Sequence, residues 1–370
     1  MEGAVSAPRD AATGKPSDTV AAIERELASI WSVPDPSTGA TKVRASTLNY
    51  VVATPPSELD TLREMTDNIA ETHAGRVLLV WVDGRLEPWA LWHEVSGVCR
   101  PSAGTSVCND RVEIGFGAVA AERAASVVRS LVVPEVPVIA EVVAGAPSLL
   151  VYAVVEVADR VVVDSRRMRL GPIAELISRA RGPLADRAWV RSFSWRELVA
   201  RFFDEAPDLG HAIERVTIMR AKPRPGGADP SHLFLGWLAS RLGWSELGRG
   251  GARRADGRAI AVSIEEAASA EPGDLVAISI EAGKGEQSVR CEVARKPDGD
   301  TSTRGSVHWS RSGGAGGPGG AGRASAHDMA LGHHDETWVL VKAIEATEGD
   351  AVYKEAALTG AKWETWWEQT

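Results

Sequence analysis

The stretch "ADRVVVDSRRM" (residues 158–168) indicates the fold class of this protein. Its three consecutive valines favour an extended chain, and a short apolar run between polar residues is typical of a strand buried on both faces of a parallel sheet. Asp164 and Ser165 follow at once, where the strand is predicted to end. Ligands and partners commonly bind at the carboxyl ends of such strands, so both residues are candidates for partner binding. The alternative is structural, because Asp-Ser also caps helices and forms turns.

Predicted helices and strands alternate around this stretch. Helices are predicted at 17–31, 55–73, 118–131, from 147, 171–182 and 194–204, and strands at 42–53, 75–84, 91–99, 110–117, 136–143 and 188–193. Alternation at this spacing indicates an α/β domain over residues 17–208, with a mostly parallel sheet and helices on both faces.

The pattern changes after Leu209. The sequence predicts a strand at 212–222, a helix at 229–244, three antiparallel-looking strands around 258–295, a last strand at 336–346 and a C-terminal helix. We therefore predict a smaller α+β domain over residues 209–370. The Gly-rich segment 311–325 within it is too poor in apolar residues to pack and is predicted to be a flexible insertion. Residues 1–16 are predicted to be a disordered lead-in.

Composition excludes several classes of function. The chain has 370 residues and a formal net charge of -9, which argues against a nucleic-acid-binding protein. Glutamates and prolines interrupt the apolar residues 131–163, so no membrane span is predicted. The N-terminal residues contain no apolar signal segment. The sequence thus predicts a cytoplasmic protein that binds neither membrane nor nucleic acid.

The three cysteines are too few and too scattered for a disulfide scaffold or a zinc site. Cys99 and Cys108 would approach each other if their strands pair, which would allow a redox switch. The alternative is two buried structural thiols, and Cys291 stands apart from both.

Motifs for catalysis are missing from the sequence. It contains no glycine-elbow serine, no Walker loop and no paired-histidine zinc motif, so we predict no enzyme, no catalytic residue and no cofactor. Gly115-x-Gly117-x-x-Ala120 matches the glycine pattern of a dinucleotide fold, but Glu141 lies far downstream for the acid that binds the ribose. Five residues of types that bind metals lie beside the Gly-rich segment: His327, Asp328, His333, His334 and Asp335. They are predicted to form a solvated loop rather than a metal site.

Tryptophan is unusually abundant, with 13 residues against five phenylalanines and three tyrosines. Tryptophan often anchors protein interfaces, although Trp81 and Trp237 are predicted to pack inside. On a C-terminal helix, Trp363, Trp366 and Trp367 share one face, so they must dock on this protein's own body or on a partner.

The segment "FSWRELVARFFD" (193–204) is predicted to be an amphipathic helix with Trp195 in the core. Arg196 and Arg201 can point away from the buried side, where a guanidinium can pair with a carboxylate of a partner. The alternative for Arg196 is an internal pair with Asp159 or Asp164.

Five segments of this chain resemble the OpcA family of glucose-6-phosphate dehydrogenase assembly proteins, and they occur in the family's order. They are "RASTLNYVV" (44–52), "LVVPEVPVIAEVV" (131–143), "ADRVVVDS" (158–165), "WVRSFSWRELVARFFD" (189–204) and "LFLGWLASRLGW" (233–244). The resemblance implies a non-catalytic partner that promotes assembly or allosteric activation of the dehydrogenase at the entry to the oxidative pentose phosphate pathway, and so supports NADPH supply.

Asp159 and Arg160 belong to the third of these segments and either hold the sheet edge together or join a docking surface. The chain departs from the family where Ala140 and Glu141 replace the tryptophans of other members. The thioredoxin control associated with cyanobacterial members cannot be placed on these cysteines. The alternative function is a nucleotide- or sugar-phosphate-binding α/β enzyme or sensor.

Overall fold

The computed structural model describes residues 5–6, 16–34, 39, 42–44, 46–69, 72–102, 105–205, 211–248, 250–267, 272–284, 287–296, 303–312, 326–331, 335–346 and 350–368. They form two compact units, each built from separate stretches of chain. The first comprises described residues among 1–163, 179–185 and 336–349, and the second those among 164–178, 186–335 and 350–370.

The first unit contains one large sheet. Its strands are β1 (Val5–Ser6), β2 (Lys42–Arg44), β3 (Leu48–Ala53), β4 (Gly75–Val82), β5 (Leu91–Ser102), β6 (Thr105–Phe116), β7 (Val138–Val142), β8 (Arg160–Val163) and β9 (Leu184–Asp186). Its helices are α1 (Pro16–Ser32), α2 (Leu59–Ile69), α3 (Ala124–Leu131), α4 (Ser148–Val157) and α9 (Glu336–Glu345).

The strand order is β1-β5-β6-β4-β3-β7-β8-β9, with β2 also paired to β6. The parallel run β6-β4-β3-β7-β8 has the chain order 3-2-1-4-5 of the doubly wound dinucleotide-binding fold. Helix α3 contacts α1 and α4, whereas α2 contacts α9, consistent with a helical layer on each face. The α/β fold class predicted from the sequence is confirmed.

Buried polar side chains join α1 to the sheet. Arg76 on β4 donates to Asp110 on β6 at 3.1 Å and to Glu24 on α1 at 2.6 Å. Trp31 at the end of α1 donates its indole N–H to the same Asp110 at 2.8 Å. Because a buried charge is costly unless it is paired, this set specifies where α1 packs.

Cys99 and Cys108 lie directly opposite each other on the antiparallel strands β5 and β6, and a disulfide joins them. The expectation of two separate buried thiols is therefore wrong. Strand pairing brings the two Cα atoms to 4.0 Å, which sequence spacing alone did not reveal. Cys291 is buried in the second unit.

The second unit is built on an eight-stranded mixed sheet in the order β11-β12-β13-β10-β14-β15-β16-β17. The strands are β10 (Ile213–Arg220), β11 (Ser245–Gly248), β12 (Gly251–Arg253), β13 (Ala259–Glu266), β14 (Leu275–Lys284), β15 (Gln287–Lys296), β16 (Thr303–Ser312) and β17 (Ala326–Leu331). The helices are α5 (Leu170–Arg179), α6 (Arg187–Arg191), α7 (Phe193–Glu205), α8 (Pro230–Leu242) and α10 (Ala351–Glu368). Helix α7 packs against β15, β16 and β17.

Helices α8 and α10 cross with their backbones in contact. A Cβ atom on Gly236 of α8 would lie only 2.1 Å from the Ala356 carbonyl oxygen of α10. One on Gly360 of α10 would lie 2.8 Å from the His232 carbonyl oxygen of α8. The crossing therefore requires glycine on both helices. Asp229 caps the start of α8 by accepting from the Ser231 N–H at 2.9 Å, and Gly243 ends the helix at a φ of 65°.

Two predicted strands are wrong. Residues 188–193 form α6 and the start of α7, because Asp186 caps α6 by accepting from the Ala188 N–H. Residues 336–346 form α9, whose consecutive residues Val339–Val341 are all buried. A short continuous apolar run occurs both in helices with a wide buried side and in buried strands, so periodicity could not separate them.

Some predictions lie outside the described residues: most of the lead-in 1–16, residues 313–325 of the insertion, and His333 and His334. Val5–Ser6 form β1, and α1 begins at Pro16. Residues 311–312, predicted to be in the flexible insertion, end β16, and His327 and Asp328, predicted to be in a loop, lie in β17. These two predictions are wrong at those residues because the strands extend further than local composition indicates. The boundary between 208 and 209 stays a prediction, while the two compact units divide the chain elsewhere, at Val163 among other points.

Candidate functional site

The carboxyl edge of the first unit's parallel sheet does not fit a dinucleotide. In this topology the pyrophosphate lies at the turn after the first strand, where backbone N–H groups and a helix N-terminus receive it. The first strand here is β3, and Thr54-Pro55-Pro56 follows it. The two prolines have no N–H to donate, and Glu58 and Asp60 place negative charge in the turns that follow.

Pro55 also occupies the point where the strand order reverses. Across it lies Gly145, in the loop after β7 with a φ of 86°, where an added Cβ would be 3.6 Å from Pro55 Cγ. Glu141 is buried on β7 and accepts a hydrogen bond from the Tyr50 hydroxyl. It is therefore part of the core rather than an acid at the end of a strand.

The Gly115–Gly117 pattern begins inside β6, which is the third strand of the order rather than the first. A Cβ on Gly117 would lie 2.1 Å from the Glu87 carbonyl oxygen and one on Gly115 3.0 Å from the Trp81 indole nitrogen. These glycines allow close packing within the protein, so the dinucleotide interpretation of the pattern is not supported.

Asp164 and Ser165 lie in a polar cluster of the second unit, which we call the strand-end cluster. Its members are Asp164, Ser165, Asp186, Trp189, Arg191, Arg196, Asp350 and Tyr353. Ser165 is buried and donates its backbone N–H to Asp186 Oδ1 at 3.0 Å. Asp164 accepts from the Arg166 N–H at 3.1 Å and pairs with Arg191 at 3.5 Å. These contacts favour the structural alternative for both residues.

Asp186 is the centre of the cluster. Its Oδ1 accepts from the backbone N–H groups of Ser165 and Ala188, at 3.0 and 2.9 Å. Burial raises the pKa of Asp186 to about 6, and the Asp164 carboxylate adds to this rise while the two N–H donors oppose it. Among the described residues, Asp186 Oδ2 has no hydrogen-bond partner.

Tyr353 at the start of α10 completes the cluster. Burial is the main cause of the raised pKa of the Tyr353 hydroxyl, and the Asp186 carboxylate raises it further. The hydroxyl therefore stays protonated. Its ring lies 5.7 Å from that of Trp189, whose indole N–H donates to Asp350 at 2.5 Å. The cluster thus ties the residues after β8 to α6 and to the start of α10.

Arg196 belongs to the same cluster. Its guanidinium stacks on the Trp189 ring at 3.3 Å and donates to the Trp189 carbonyl oxygen at 2.7 Å and to Ser192 Oγ. Burial lowers the pKa of Arg196 to about 9, against the opposing charges of Asp350 and Asp186. Arg196 therefore binds within this protein, as the alternative predicted. Its partner is Trp189 rather than Asp159 or Asp164.

The other candidates from the sequence lie apart from this cluster. Arg201 is exposed and pairs with Glu197 one turn earlier on α7, at 2.8 Å, whereas Trp195 on the same helix is buried. In the first unit, Asp159 accepts from the Val138 N–H at 2.8 Å and Arg160 donates to the Ile344 carbonyl oxygen. Burial lowers the pKa of Arg160.

The three C-terminal tryptophans of α10 have different surroundings. Trp363 is fully buried, Trp367 is half-buried with its ring 5.7 Å from that of His232, and Trp366 is 53% exposed. Trp363 and Trp367 therefore dock on this protein's own body. Trp366 is the one of the three that presents most of its ring to solvent.

Four members of the strand-end cluster were not predicted from the sequence: Asp186, Trp189, Asp350 and Tyr353. They come from two distant segments, around 186–189 and 350–353, and only the fold brings them together. The sequence did offer one signal for this site, because an aspartate such as Asp186 is a common N-cap residue and predicts that a helix starts directly after it.

Neither a metal site nor a membrane helix is found in the described part of the chain. No group of three or more His, Cys, Asp or Glu side chains there could hold a metal ion. None of the helices described is long and apolar enough to cross a bilayer.

Solved structures that resemble this chain include a ketoreductase and a super-repressor mutant. The first is KijD10, a 3-ketoreductase from Actinomadura kijaniata, with 13% identity, a TM-score of 0.44 and coverage of 86% of this chain and 95% of that one. Gal80p from Saccharomyces cerevisiae has 9% identity, a TM-score of 0.46 and coverage of 88% and 95%. At these values the similarity gives no information about activity.

Curated relatives match at higher identity. The OpcA protein of Nostoc punctiforme, named a candidate OxPP cycle protein, is 32% identical over 166 residues, covering 42% of this chain and 35% of the relative. Its namesake in Synechocystis is 27% identical over 150 residues, covering 39% and 31%. The matched region is thus about a third of the length of these relatives.

Two family models match consecutive parts of the chain. The model described as the glucose-6-phosphate dehydrogenase subunit N-terminal domain matches residues 66–181, and that of the C-terminal domain matches residues 182–357. Together they account for more than half of the chain, which therefore belongs to the OpcA family of glucose-6-phosphate dehydrogenase subunits.

Proposed function

We propose that this protein is a non-catalytic assembly factor and allosteric activator of glucose-6-phosphate dehydrogenase, which supports the oxidative pentose phosphate pathway and NADPH supply. The observation that carries this proposal is the pair of family models, whose descriptions name the dehydrogenase subunit over residues 66–181 and 182–357.

The first unit supports a non-catalytic role. Its strand order is that of a dinucleotide-binding fold, yet Pro55 and Pro56 remove N–H donors where a pyrophosphate would need them. Glu58 and Asp60 follow at the N-terminal end of this helical segment, where their negative charges would repel a phosphate. A nucleotide-binding enzyme or sensor, the alternative function, would need this turn, so the geometry favours the partner role.

The proposal requires that the chain bind the active form of the dehydrogenase more tightly than the inactive form, because only a difference in affinity shifts a conformational or assembly equilibrium. Sedimentation of the dehydrogenase with and without the chain measures assembly. Initial rates at fixed dehydrogenase concentration measure activation. We expect a larger complex and a higher rate in the presence of the chain.

Two results would contradict the proposal. One is an unchanged sedimentation profile and rate of the dehydrogenase in the presence of excess chain. The other is reduction of NADP by glucose 6-phosphate when the chain is the only protein in the assay, which would favour the enzyme alternative.

A further inference from the structure

The outer face of α10 carries a regular line of four side chains. Lys354, Leu358, Lys362 and Trp366 follow each other at intervals of four residues, which places them along one side of the helix. All four are exposed, with Leu358 at 36% and Trp366 at 53%. We call them the Lys–Trp stripe.

The opposite face of α10 explains why the stripe points outward. Tyr353, Ala356, Gly360 and Trp363 are buried on that side, and Gly360 lies at the backbone crossing with α8. The helix therefore has a fixed rotation about its own axis. The side chains of the stripe cannot turn inward without breaking the crossing.

Two other charged side chains of α10, Glu355 and Glu364, have partners within the protein. Glu355 pairs with Arg241 of α8, and Glu364 accepts from the Gly171 N–H at 3.0 Å and lies 3.6 Å from Arg169. Among the described residues, neither Lys354 nor Lys362 has an ion pair or a side-chain hydrogen bond. Two uncompensated ammonium groups thus alternate with two exposed apolar side chains, in a protein whose net charge is -9.

We infer that the Lys–Trp stripe is the surface by which this protein docks on the dehydrogenase, on a face where carboxylates flank an apolar recess. This inference rests on the proposed function. Trp366 would fill the recess as an anchor, because a desolvated indole supplies a large share of binding free energy. The ammonium groups would pair with the flanking carboxylates, while their aliphatic stems cover the rim of the recess.

The test measures the dissociation constant of the full-length chain and the dehydrogenase by biolayer interferometry, at two salt concentrations. Trp366→Ala is compared with Trp89→Ala, a matched control, because Trp89 is 63% exposed but lies in the other unit. We expect Trp366→Ala to weaken binding about tenfold or more and Trp89→Ala to leave it unchanged within about twofold. Thermal melting checks that each variant is folded.

A second variant keeps the test decisive if Trp366→Ala lowers the stability of α10. Lys362→Glu changes only an exposed charge, and we expect it to weaken binding about tenfold at low salt and less at high salt, because salt screens the repulsion. Normal binding by both variants, when the unmodified chain binds, would overturn this inference alone. Absence of binding by the unmodified chain would overturn the proposed function and this inference with it.

Discussion

At the scale of single residues, Asp186 links protonation to stability. Its pKa is about 6 when folded, above the usual value of 3.8, so the folded protein binds this proton more tightly than the unfolded chain. The ionised carboxylate therefore lowers the free energy of unfolding by about 3 kcal/mol above pH 6, and this loss disappears as the pH falls towards 4.

Asp186→Asn keeps an oxygen that can accept from the Ser165 and Ala188 N–H groups but removes the charge. At pH 7.5 we expect the free energy of unfolding to rise by about 1–3 kcal/mol, with the gain vanishing near pH 4. Urea denaturation over this pH range measures it. Asp186→Ala is the control that loses both hydrogen bonds, and a pH-independent gain in the Asn variant would contradict the assignment.

Arg196 is expected to matter for folding because it stacks on Trp189 and donates to its carbonyl oxygen. Arg196→Ala should lower the free energy of unfolding by about 1–3 kcal/mol. Arg201→Ala on the same helix is the matched control, and its exposed pair with Glu197 should be worth about 0.5 kcal/mol or less. Equal melting temperatures for the two variants would show that the stack contributes little.

At the scale of secondary structure elements, the sequence predicted most of the parallel strands but not all of the helices. The valines of β8 and the apolar run of β4 are too short to form a buried helix, so both segments were correctly predicted to be strands. A strand was predicted in place of α9 because its apolar residues Val339–Val341 are consecutive, as in a buried strand. The strand-end cluster could not be predicted, since Asp186 and Tyr353 lie far apart in the chain and local patterns carry no information about such pairs.

The crossing of α8 and α10 predicts that alanine substitution affects stability very differently at Gly236 and at Gly248. Gly236→Ala places a methyl group 2.1 Å from the Ala356 carbonyl oxygen, so the helices must separate, and we expect a loss of about 2 kcal/mol or more in the free energy of unfolding. Gly248→Ala in β11 has nothing within 4 Å and should leave stability unchanged or slightly higher. Denaturation of both variants measures the difference, and a tolerated Gly236→Ala would mean that the helices can move apart at little cost.

The first unit has a dinucleotide-binding topology without the phosphate-binding turn. We expect no binding of NADP or NADPH tighter than about 1 mM, because Pro55 and Pro56 offer no N–H groups and Glu58 adds repulsion. Isothermal titration calorimetry tests this directly. Micromolar affinity would show that another edge of the sheet holds the cofactor and would favour the enzyme alternative.

The main-chain contact between α8 and α10 also bears on the speed of complex formation. A helix held at Gly236 and Gly360 is already folded before any encounter, so its recognition side chains lose little conformational entropy when they bind. Association would then be limited by orientation and long-range attraction, with rate constants of about 10⁵–10⁷ M⁻¹s⁻¹ that rise as ionic strength falls. Partners that must first fold a disordered segment would instead lose part of their interaction energy in ordering that segment.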